Sequence, residues 1–239
     1  DNTLVQGEGT LEAQLGDSLT AILKASLPML ALQPLTGMTD SLTLGADIDI
    51  TASADKHFTT YGARGSIANV RFLTPRKSIP AKDVFFAFGV APLHLSADIA
   101  AGDLNLQMSA DESITSLTRH ATQFMALLEK QWASYSIDQN ALKAELPDLR
   151  FRMTSAGDNP LANILRYKGF TFDQADVRLH TTAATGIDGH LRMRALNTGS
   201  LQLDSIGLNL LQDTAGVKMK GRVHNYTKRN PHKFDAGID

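Results

Sequence analysis

Cysteine is absent from this 239-residue chain. Disulfide frameworks, thiolate metal centres and cysteine nucleophiles are therefore excluded, and stability has to come from packing alone. Aromatic residues are scarce, at 6%. An excess of either charge is also missing: 23 Lys and Arg stand against 25 Asp and Glu, for a net charge of −2. That balance removes the electrostatic case for a nucleic-acid partner over the whole surface. No apolar run approaches the roughly 20 residues needed to span a bilayer. The longest apolar-leaning window, Leu19 to Leu35, is broken by Lys24, Pro28 and Pro34. The chain opens at Asp1-Asn2-Thr3 without an initiator Met or a signal peptide, and closes where an alternation is starting, at Phe234 to Asp239. Both ends read as limits of a segment of a longer protein, with any membrane anchor expected outside it.

The signatures of common chemistry are missing too. There is no G-x-S-x-G elbow, Walker A loop, H-E-x-x-H helix or EF-hand loop. Gly7-Glu8-Gly9 is a fragment of a dinucleotide fingerprint and reads as a turn. Asp47-x-Asp49 would share the wet side of a strand with no third ligand nearby, and the seven histidines are scattered singly. The expectation is a protein that is not an enzyme, with no metal and no cofactor.

What is present is alternation. At 43% hydrophobic and 20% charged, the composition is that of a folded chain, long enough for one large β domain or two smaller units. Leu42, Leu44, Ala46, Ile48 and Ile50 interleave with Thr43, Gly45, Asp47 and Asp49, placing apolar side chains on one face of a strand. The same period appears at Leu93–Ile99, Leu104–Met108 and Leu149–Met153. Toward the C-terminal end it recurs at Leu191–Ala195, Leu201–Leu203, Leu208–Leu210 and Val217–Val223. Asp188-Gly189, Asn197 to Ser200 and Asp213 to Gly216 read as the turns between these strands. Such spacing predicts an antiparallel meander with one apolar and one wet face.

Helical spacing interrupts the strands. Asp111 reads as an N-cap, followed by Ile114, Leu117, Ala121, Phe124, Met125, Leu128 and Trp132 on one stripe, expected to dock on the sheet as a lid or plug. A second helix is predicted from Asp17 through Leu19, Ile22, Leu23 and Ser26, stopped by Pro28. A third runs from Asn159-Pro160 to Gly169, with Pro in the first turn. Three short echoes recur at offsets of roughly 95 to 107 residues: Asp17 to Thr20 with Glu112 to Thr115, Ile50 to Asp55 with Met153 to Asp158, and Ala68 to Phe72 with Ala175 to Leu179. They suggest loosely repeated units of helix, strand and strand. One unit would span 1–110 and the other 111–239, unless the whole forms one continuous domain. The fold class expected is mainly β with a few helices, α+β by strict count: an extended or curved antiparallel amphipathic sheet.

Few helices and many strands leave an apolar sheet face short of cover, and such a face is a binding surface. Its candidate lining is Leu42, Leu44, Ile48 and Ile50, then Leu191, Met193, Leu201, Leu203, Leu208, Leu210, Val217 and Met219. Lys218, Lys220 and Arg222 lie together on one strand face, opposite Val217, Met219 and Val223. A solvated outer face explains them; contact with anionic lipid headgroups is the sharper alternative.

Short amphipathic strands, sparse aromatics and small polar turns resemble the AsmA-like and TamB-like envelope proteins. The resemblance rests on Leu42 to Thr51, the Ala-Asx-Val-Arg echoes at Ala68 and Ala175, and the meander from Phe170 to Tyr226. It implies a periplasmic segment of the cell envelope, anchored to the inner membrane by a part of the protein not seen here. It also implies a greasy trough that carries phospholipid in support of outer-membrane assembly, with an assembly protein of that membrane as a further partner. The competing expectation is a structural or interaction β module, adhesin-like or a scaffold, whose apolar faces close on each other without lipid.

Overall fold

Alternating side chains can serve a sheet only if neighbouring strands keep their phase, and here they do so from one edge to the other. The computed structural model describes residues 5–31, 43–74, 77–213, 216–226 and 233–238. Its strands are β1 (Val5–Leu15), β2 (Ser18–Ala31), β3 (Thr43–Asp55), β4 (Tyr61–Thr74), β5 (Lys77–Pro80), β6 (Val84–Ala91), β7 (His94–Ala101), β8 (Leu104–Ala110), β9 (Leu149–Ser155), β10 (Gln174–Thr182), β11 (Gly186–Asn197), β12 (Gln202–Asp213), β13 (Gly216–Asn225) and β14 (Phe234–Ile238). They form one sheet in sequence order, every neighbour antiparallel, with β5 beside β4 off the main path. The chain is mainly β, 62% strand against 17% helix, and the sheet is open. β8 pairs directly with β9, so the sheet crosses residues 110 and 111 without a break.

Three helices sit in the connections: α1 (Ile114–Ala133) and α2 (Gln139–Ala144) between β8 and β9, and α3 (Pro160–Tyr167) between β9 and β10. The helix predicted from Asp17 is instead strand β2. Leu19, Ile22 and Leu23 fit a helical stripe, but Leu19, Ala21, Leu23, Ala25 and Leu27 also alternate. That second pattern wins because β1 and β3 supply hydrogen-bonding edges on both sides. Pro28, expected as a helix stop, lies where the β2–β3 register shifts, between Leu27 and Leu30, the position a proline tolerates in a sheet. The echo between Asp17 to Thr20 and Glu112 to Thr115 therefore joins a strand to a helix. Gly7-Glu8-Gly9 lies inside β1 at a register shift, not in a turn. Asp188-Gly189 is likewise interior to β11, and the turn lies just ahead of it, at Gly186 with φ +90°.

The N-cap of α1 is Ser113, whose Oγ accepts a hydrogen bond from the Ser116 amide at 3.1 Å. Asp111, expected there, is drawn away by His94 at 3.1 Å and Arg150 at 2.8 Å, which hold its carboxyl below the usual carboxylate range. Nor does the apolar stripe of α1 dock along the sheet. Leu117 joins the buried cluster of Val90, Leu95 and Ala110, but Met125 is half exposed and Trp132 is 74% exposed. Polar contacts hold the helical segment to the sheet end instead. Within that segment, buried Gln131 of α1 accepts from the amide of Asp138, the N-cap of α2, at 2.7 Å. Gln139 of α2 accepts from the Val217 amide at 2.7 Å, and Thr181 Oγ donates to the Pro147 carbonyl at 2.8 Å.

At the opposite sheet end, α3 follows expectation, with Asn159 as N-cap and Pro160 in the first turn. Asn159 is fully buried; its Oδ1 accepts from Ala162, and its Nδ2 donates to Asp103 at 2.6 Å. Asp103 also accepts from the amides of Ala156 and Asp158. Partial burial raises its pKa, but these donors outweigh it and hold the carboxyl low. Gly102 precedes it at φ +60°, where a Cβ would lie 2.1 Å from the Asp158 carbonyl, so the turn requires glycine.

Three outcomes follow from this architecture. Asn159→Ala removes a cap and one of the donors that hold the Asp103 carboxylate, and should lower unfolding free energy by about 2 kcal/mol in urea titration. Leu117→Ala should cost about 2 kcal/mol, the low end for leucine truncations, and Trp132→Ala less than about 0.5 kcal/mol. Equal costs would mean that the whole α1 stripe is packed. Asp55 ends β3 with its carboxylate accepting from the Thr59 hydroxyl and the amides of His57, Thr59 and Thr60, which lower its pKa from 3.8 to about 2. The stability it adds is fully present above pH 3.8 and is lost as pH falls toward 2. A carboxyl-carbon NMR titration of Asp55 with a midpoint near 4 would contradict this.

Candidate functional site

The register separates the sheet into two chemically distinct faces. On one, Leu44, Ile48 and Ile50 of β3 stand beside Leu23 and Ala25 of β2 and Ile67 of β4. The row continues through Phe86, Ile99, Leu106, Met153, Val177 and Leu191, each directly opposite the next or one strand on. It ends through Leu208 and Leu210 of β12, Met219 of β13 and Ile238 of β14. On the other face the partners are polar: Lys24 opposite Asp49, Asp98 opposite Gln107, Arg152 opposite Arg178, Asn209 opposite Lys220. β6 is the exception, since Phe85 and Ala87 turn to the polar side and Phe85 is exposed.

Nothing within the described residues forms a second layer over most of the apolar face. Among the described residues, the twelve buried apolar residues include six alanines, and the largest of the most deeply buried side chains are two asparagines, Asn159 and Asn225. A protein whose sheet was covered would bury its leucines instead. The surface area agrees. A folded chain of 25.8 kDa exposes about 10,500 Å² by the usual scaling, whereas this one exposes 15225 Å². The excess is the signature of a single layer.

The candidate lining residues distribute as follows. Leu44, Ile48, Ile50, Leu191, Leu208 and Leu210 are half-buried on the apolar face, and Val217 and Met219 are exposed on it. Met193 faces the same way but is sheltered under α3, against the cluster of Ala162, Phe172 and Ala175. Leu201 lies in the turn before β12 and is exposed. Leu203 has the opposite parity from Leu208 and Leu210, and is buried at the sheet end opposite Leu196. Leu42 lies outside the described residues. Sequence reasoning missed β1, β2 and β6, which add Leu11, Leu15, Leu19, Leu23, Phe86 and Phe88 to the same face; the helical reading of Asp17 to Ser26 hid β2.

Lys218, Lys220 and Arg222 point to the polar face, away from this lining. Lys218 pairs with Asp213, and Arg222 forks onto Asp235, which raises the Arg222 pKa and lowers that of Asp235. Asp47 and Asp49 are equally committed. Asp47 accepts from Ser26 Oγ at 2.7 Å and from Asn69 Nδ2 at 2.6 Å, which together depress its pKa, while Asp49 faces Lys24 at 3.8 Å. Asn69 is the left-handed residue of a β4 bulge, so Asp47 pins a bend in the sheet. No group of three or more His, Asp or Glu able to hold a metal occurs among the described residues. Shallow depressions do occur on the sheet, lined chiefly by polar-face residues: one of about 650 Å³ over β1–β4 and one of about 430 Å³ over β10–β13.

No family model, curated protein or solved structure matches the chain.

Proposed function

We propose that the apolar sheet face is a surface for acyl chains, and that the segment binds and conducts phospholipid without turnover. The observation that carries this reading is an apolar row running from β1 to β14 with no second layer over most of it among the described residues. Its side chains are chiefly Leu, Ile, Val, Met and Ala, which match a hydrocarbon chain and offer a peptide few hydrogen-bond partners. Each methylene withdrawn from water is worth about 0.8 kcal/mol, so a single acyl chain lying across several strands gains enough to bind and little enough at any one point to slide. The resemblance to AsmA-like and TamB-like proteins supports the same reading, with the segment in the cell envelope and serving outer-membrane assembly. A closed β module would need the apolar face covered, and within the described residues the helices touch it only at the sheet ends, through α3, the first turn of α1 and Gln139 of α2.

Ile48→Asp places a charge on the apolar face, and Asp49→Asn removes one from the polar face. Because Ile48 is only half-buried, the fold should tolerate aspartate there, yet an ionised group without a partner should exclude hydrocarbon. We expect the parent protein and Asp49→Asn to co-purify with phospholipid detectable by native mass spectrometry. Ile48→Asp should remain folded with at least a tenfold loss of bound lipid. Absence of lipid from the parent, or unfolding of Ile48→Asp, would overturn the proposal in favour of an apolar face covered by a protein partner.

A further inference from the structure

The polar face is electrically divided. Over β1–β3 it carries Glu8, Glu12, Asp47, Asp49 and Asp55 against Lys24. Over β9–β13 the sign reverses: eight lysines and arginines face three carboxylates, Asp176, Asp188 and Asp213. Several of these cations are neutralised locally, Arg150 by Asp111, Lys218 by Asp213 and Arg222 by Asp235. Asp176 serves His190 at 2.7 Å and Arg178 at 3.6 Å. Lys220 is engaged as well, which leaves Arg152, Arg192 and Arg194 without a carboxylate or hydrogen-bond acceptor among the described residues. Arg152 also stands directly opposite Arg178, a like-charge pair that costs stability.

Arg192 and Arg194 share one side of β11. Opposite Arg192 is Gly207, and opposite Gly207 on the next strand is Arg222. The missing side chain opens the depression of about 430 Å³, walled by Arg192, Arg194 and Arg222, with Ser205 and Gln174 flanking Arg194 on either side. A Cβ built on Gly207 would meet nothing within 4 Å, so the floor is open space.

We propose that this depression binds a phosphate group. Two unpartnered guanidiniums provide the forked donors that match phosphate oxygens. The Ser205 hydroxyl and the Gln174 amide are placed to add neutral donors, and Arg222 contributes charge while held by Asp235. The Asp176 carboxylate, engaged by His190 and Arg178, shifts the favourable position toward Arg194. The phosphate belongs either to an anionic phospholipid headgroup or to a soluble phosphate ester; the site chemistry is common to both. This site lies on the face opposite the acyl-chain surface and does not depend on it.

The test compares the parent chain with the double variant Arg192→Gln/Arg194→Gln, with Gly207→Asp, and with Arg64→Gln, which removes an equivalent arginine from the polar face of β4. Binding of glycerol 3-phosphate and inorganic phosphate is followed by calorimetry at constant ionic strength. Binding to phosphatidylcholine vesicles with and without phosphatidylglycerol is followed by sedimentation. The double variant and Gly207→Asp should each weaken binding at least tenfold without lowering the thermal midpoint, while Arg64→Gln leaves it unchanged. Loss confined to vesicles assigns a headgroup, and loss seen with the soluble ester assigns a soluble ligand. An equal loss in Arg64→Gln, or no phosphate-dependent binding by the parent in either arm, overturns the proposal.

Discussion

Everything in this structure depends on lateral hydrogen bonding that never lets the strand phase slip across a boundary. In an antiparallel sheet a one-residue shift between neighbours moves every side chain to the other face. Where the register does shift, at the β1–β2, β2–β3 and β3–β4 boundaries, the irregularity is taken up locally by Gly7, Pro28 and Asn69, and the apolar row continues. Asp47 belongs to this constraint: its carboxylate holds Asn69 in its bulge, and a residue that looks like half of a metal site is a structural clamp.

A single layer has unusual energetics. Most globular proteins close an apolar face against a second layer and draw stability from the core so formed. Here the two buried clusters are small and sit at opposite sheet ends, where α1 and α3 touch it. The most deeply buried polar residue, Asn159, caps a helix and ties two turns together through Asp103. Buried polar joints at the ends of strands fix the helices without spending the apolar face on them. The face that would be a core elsewhere is left as surface, and the proposed function uses that surface.

Much of the fold was legible in the sequence, and the failures share one cause. β3, β7 to β9 and the final meander show clean period-two alternation, and Asn159-Pro160 carries its cap and first-turn proline in adjacent positions, so each identifies itself locally. Asp17 to Ser26 does not, since Leu19, Ile22 and Leu23 satisfy both periods until paired strands decide between them. Leu201 and Leu203 fail similarly: they alternate, but out of phase with Leu208 and Leu210, and phase is visible only against β11. Asp111 has the chemistry of a cap, yet Arg150, 39 residues away, claims it first.

The sequence by itself determined that the chain is an amphipathic sheet without thiol or disulfide chemistry, because side-chain period and composition are local properties. Only the tertiary structure decided which residues share a face, that α1 leaves the sheet uncovered, and that Arg192, Arg194 and Arg222 surround the gap at Gly207. Those facts depend on which strand lies beside which and in what register, and that is set by pairing between residues distant in the chain.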